Sequence, residues 1–80
     1  MTPTERAKLI IKSLPEDLSA KLAKELVYWA PEVMLSYVNS FVNTHVPKSA
    51  SDPVSVRVYA AVCGVSEAVM KIQLALDGYM

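Results

Sequence analysis

Ala7, Ile10, Ile11 and Leu14 recur at i, i+3, i+4 and i+7, with Glu5, Arg6, Lys8 and Lys12 between them. One apolar stripe per 3.6 residues predicts an amphipathic helix. Thr2-Pro3-Thr4-Glu5 supplies its start: Thr2 caps, Pro3 suits the first helical position and Glu5 completes a capping box. This places a first helix over Pro3–Ser13. Ser13-Leu14-Pro15-Glu16 then repeats the start signal, because Pro15 resists continuation but tolerates a new first turn. Leu18, Leu22, Leu26 and Trp29 form the stripe of a second helix, with Asp17, Lys21, Lys24 and Tyr28 on its wet side. Pro31 ends that helix at Ala30 and opens a third, running to His45.

The third helix changes the picture. Residues 33–47 contain no Asp, Glu, Lys or Arg. Met34, Val38, Phe41, Val42 and His45 share one face, and Ser36, Asn39, Ser40 and Asn43 share the other. A polar face without charge suits a partner surface, since amides and hydroxyls are desolvated at less cost than ions. Residues 46–51 form a loop by composition.

Beyond the cap and proline pair Asp52-Pro53, the residues Val54, Val58, Ala61, Val65, Ala68, Ile72, Ala75 and Tyr79 step alternately by four and three. That is a heptad seam, widened by Val62, Val69 and Leu76. Its phase runs unbroken past Gly64 and predicts one continuous helix over 53–77, about 37 Å long at 1.5 Å per residue. Gly78 is a natural residue to follow it. The alternation of 54–59 also fits a strand, but the chain offers no second strand to pair with it. The expectation is a single all-α domain over residues 1–80 with four helices, the last one long unless broken at Gly64.

Ala60, Gly64, Val65, Ser66 and Met70 also stand where a helix-turn-helix motif places a small residue, the turn glycine, a buried apolar residue, a capping serine and a core residue. Over about twenty residues the chain resembles that motif. The resemblance implies a turn at Gly64 and a recognition helix over 67–77. Gln73 departs from the pattern, where an apolar residue is expected.

Composition sharpens the reading of function. Hydrophobic residues make up 52% of the 80 and charged residues 20%, against roughly 25% charged in an average domain. A chain this short hides little apolar surface alone, so the excess predicts oligomerisation or a permanent partner. The eight basic and eight acidic residues cancel, and ten of them lie before Val33. Zero net charge weighs against nucleic acid as the main partner. A single Cys63 excludes an intramolecular disulfide and fits a reducing compartment. No run reaches the roughly 18 apolar residues of a membrane span, and no secretory leader is legible. The expectation is a soluble cytoplasmic protein.

Candidate chemistry is thin. His45 and Cys63 occur once each and do not make a zinc site. No phosphate loop, dinucleotide fingerprint or nucleophile elbow is present. Glu16, Asp17, Glu25 and Glu32 belong to helix starts and wet faces. We expect no enzyme, no metal, no cofactor and no small-molecule substrate. The chain reads as a protein–protein interaction or oligomerisation module, a homodimer or a subunit of a larger assembly. Its interface is expected at Tyr37, Phe41, Val58, Ala61, Val65, Ala68 and Ile72. The alternative is a small DNA-binding protein that uses Arg57, Ser66 and Lys71.

Overall fold

Ala30 precedes a proline, which pushes its backbone into the extended region; its φ and ψ are −67° and 148°. A helix therefore ends ahead of it and another begins at Pro31. Local rules of this kind divide the chain, seen in a computed structural model that describes residues 2–26, 28 and 30–80, into five helices: α1 Pro3–Ser13, α2 Glu16–Leu26, α3 Pro31–His45, α4 Pro53–Cys63 and α5 Glu67–Leu76. Among the described residues there is no strand, and 54–59 belong to α4.

The start of α1 is as expected, with the Thr2 hydroxyl accepting from the Glu5 N–H at 3.2 Å. Ser13 does not cap α2. Its hydroxyl donates back to the Ile10 carbonyl at 2.6 Å. α2 stops at Leu26 and not at Ala30, with a turn at Tyr28, whose N–H donates to the Glu25 carbonyl. Trp29, expected in its stripe, lies outside the described residues.

The main correction concerns the C-terminal half. The expected continuous helix over 53–77 is two helices at 103° to each other, which makes five in all. Gly64 sits in the left-handed region, at φ 69° and ψ 33°, where a Cβ costs roughly 1–2 kcal/mol. The Val65 N–H reaches back to the Ala60 carbonyl at 3.1 Å, closing α4. Ser66 then starts α5 by accepting from the Val69 N–H at 3.2 Å. Gly78 ends α5 as expected, at φ 90°.

The core collects Ala7 and Ile10 from α1, Leu22 and Leu26 from α2, Val38, Phe41 and Val42 from α3, Val56, Val58 and Tyr59 from α4, and Met70 and Leu74 from α5. α1 is the hub and packs on α2, α3 and α4, whereas α5 packs mainly on α4. Two arginines lock α1 to α4. Arg6 donates to the Val62 carbonyl at 2.6 Å, and Arg57 Nε donates to the Ser13 carbonyl at 2.7 Å. Each satisfies a helix C-terminus that would otherwise present orphan carbonyls, and each cation meets the negative end of a helix dipole.

The 46–52 loop is held from both sides. Ser55, fully buried, accepts from the Ser49 N–H at 2.8 Å, and the Ala50 N–H donates to the Tyr79 carbonyl at 2.7 Å. The radius of gyration is 12.4 Å, above the roughly 11.6 Å of a compact 80-residue domain.

Candidate functional surface

α5 is apolar on two opposite faces. Met70 and Leu74 point into the core and are buried. Val69, Ile72 and Leu76 point the other way and are 49%, 62% and 82% exposed, and Val65, in the turn ahead of α5, is 37% exposed. Ala68 and Ala75 are exposed beside Ile72. Glu67 and Lys71 flank this outer face on one side, and Gln73 and Asp77 on the other. A helix that carries a second apolar face turned away from its own core normally has that face covered by a partner. The total accessible surface is 5092 Å², compared with about 4,800 Å² for a monomer of 8.8 kDa. Apolar patches beyond a few hundred Å² mark interaction sites on monomeric folds.

The expected interface residues divide between this face and the core. Phe41 and Val58 are buried in the chain's own core, and Ala61 is half-buried against it. Tyr37 is half-buried, and its hydroxyl donates to the Glu25 carboxylate. That bond holds the phenol above its ordinary ionisation range. Ala68 and Ile72 lie exposed on α5, and Val65 lies exposed in the turn before it. Val69 and Leu76, which the sequence shows only as a widening of the seam, stand there with equal weight.

The residues of the DNA-binding alternative are dispersed. Arg57 is committed to the end of α1 and Ser66 to the start of α5. Lys71 is exposed on α5, with Glu67 one turn away. His45 Nδ1 lies 3.0 Å from the Phe41 carbonyl, and the ring stacks on Phe41 at 4.1 Å between centroids. Cys63 is a free, exposed thiol at the end of α4. Among the described residues no three His, Cys, Asp or Glu side chains gather into a metal-binding group, and no single helix is long and apolar enough to cross a membrane.

A second feature lies on the core side of α5. A cleft of about 230 Å³ opens between the end of α3, the 46–52 loop, α4 and α5. Tyr59, Val62, Met70 and Leu74 form its apolar floor, and Asn43, Lys48, Gln73 and Asp77 its exposed polar rim. The Lys48 ammonium sits over two rings, 5.7 Å from the centroid of Tyr59 and 5.3 Å from that of Tyr79. The Tyr59 hydroxyl is spent on the Val46 carbonyl at 2.6 Å, and burial pushes its ionisation up. The cleft is not legible in the sequence, because Asn43, Lys48 and Asp77 come from three separate segments. No spacing rule links them.

Comparison with protein-family models, curated proteins and solved structures gives no match.

Proposed function

We propose that the protein is a small non-enzymatic interaction module that docks through the outer face of α5, most simply onto a second copy of itself. The observation that carries this reading is the second apolar face of α5, which its own chain leaves uncovered. Removing aliphatic surface from water is worth about 25 cal/mol per Å², so Val69, Ile72 and Leu76 supply the centre of an interface. A standard interface needs about 800 Å² from each partner; the flanks of α5 and the exposed Met80 extend the centre toward that size. Zero net charge leaves two copies without long-range repulsion. The test is size in solution at tens of micromolar for the wild type, for Ile72→Lys, and for Leu9→Lys as a control on the exposed side of α1. The reading expects a dimer that Ile72→Lys dissociates and Leu9→Lys leaves intact. A wild-type monomer with no copurifying chain would refute it.

A second reading is favoured by the corner itself. Helices at 103° joined through a left-handed glycine and a capping serine support a reading as a DNA-binding helix-turn-helix, whose two helices cross at about 90–120°. The helix such a domain would offer to a groove carries one cation and an apolar outer face. Duplex binding that weakens steeply with salt, and weakens further in Lys71→Gln, would favour this reading over docking.

A further inference from the structure

We propose that the cleft between the 46–52 loop and α5 binds a small zwitterion with an apolar substituent, of the aliphatic or aromatic α-amino acid class. The site lies across α5 from the outer face, so it does not rest on the docking reading. Its rim carries one charge of each sign, Lys48 and Asp77, and among the described residues neither side chain has a hydrogen bond or ion pair within the chain. Lys48 is positioned by the Tyr59 and Tyr79 rings but not neutralised by them, because a ring quadrupole holds a cation without taking its charge. A simple anion entering the cleft would meet Asp77, and a simple cation would meet Lys48. A ligand with both charges places its carboxylate at Lys48 and its ammonium at Asp77. Asn43 and Gln73 can hydrogen-bond either group. The substituent then faces Val62, Met70 and Leu74. A volume of about 230 Å³ is below the roughly 300–1,000 Å³ of drug-sized pockets, which suits an occupant of this size.

The experiment is a titration of the isotopically labelled full chain with leucine to about 10 mM, well past the millimolar affinity that so few contacts provide, read from backbone amide shifts. The expected result is saturable shifts at Asn43, Lys48, Gln73 and Asp77. Binding should weaken at least tenfold in Lys48→Met and in Asp77→Asn, each checked for an intact spectrum. N-acetyl-leucine and leucinamide, which lack one charge each, should bind at least tenfold more weakly than leucine. No shift at those amides would overturn the proposal, and so would shifts confined to the outer face of α5. N-acetyl-leucine binding as well as leucine would overturn the zwitterion assignment.

Discussion

α4 and α5 are two halves of one heptad seam with opposite fates. In α4 the seam residue Val58 is fully buried and Ala61 is packed against the core; in α5 the seam residue Ile72 faces outward. The pattern does not change between them, but the direction of the chain does. A turn of 103° at Gly64 sends the same helical phase first into the fold and then out of it. Position in a hydrophobic repeat therefore decides which residues share a face. The corner decides what that face meets.

The largest expected effect comes from putting one charge into each half. Val58→Asp buries an unpaired carboxylate and should abolish the fold, a loss above about 3 kcal/mol. Ile72→Asp should change the stability of the isolated chain by no more than about 0.5 kcal/mol, because the site is exposed. Urea unfolding under conditions where both are monomeric tests the contrast. Equal losses would mean that the two halves are not different.

Gly64→Ala acts on the corner. A methyl group there would meet no atom within 4 Å, so the cost is backbone strain alone, roughly 1–2 kcal/mol. If the strain is relieved by straightening 53–76 into one helix, the far-ultraviolet helical signal rises and Met70 and Leu74 lose their burial. A variant as stable as wild type would show that the left-handed turn carries no strain for alanine.

The turn residues were all visible in the sequence, and their geometry was not. Gly64 and Ser66 fit a packing glycine in a long helix as well as a turn, and the unbroken phase of Val54, Val58, Ala61 and Val65 favoured the helix. What separates the two is a backbone hydrogen bond, Val65 to Ala60, that no residue type encodes. The first three helix starts were legible because Pro3, Pro15 and Pro31 act locally. The two arginine locks were not, since Arg6 and Val62 are 56 residues apart and Arg57 reads as an exposed cation. The outer face of α5 was legible in part, as Ala68 and Ile72. Phe41 and Val58 belong to the same pattern, and only the packing of α1 and α3 assigns them to the core.

Those locks give the next effect. Arg57→Ala frees the Ser13 carbonyl and Arg6→Ala frees that of Val62, each costing about 1 kcal/mol. Both should loosen α1 from α4 without altering association through α5, which thermal melts and sizing would check together.

The smallest effect is one of pH. Burial raises the ionisation of Tyr59 above its ordinary value of 10.0. The folded state therefore holds the phenolic proton after the unfolded chain has released it. Stability falls as pH rises past about 10 and through the folded value. Tyr59→Phe should remove that part of the alkaline loss, at the neutral-pH cost of the hydrogen bond to Val46. An unchanged alkaline profile would place the loss on other groups.

The most direct test of the two fates is sedimentation equilibrium of the wild-type chain from about 1 to 100 µM, the range in which a micromolar dimer dissociates. The account predicts a mass rising from 8.8 kDa to twice that value, with Ile72→Lys held at the lower value throughout. A wild-type chain that stays at 8.8 kDa across the range, with no second protein bound, would contradict it.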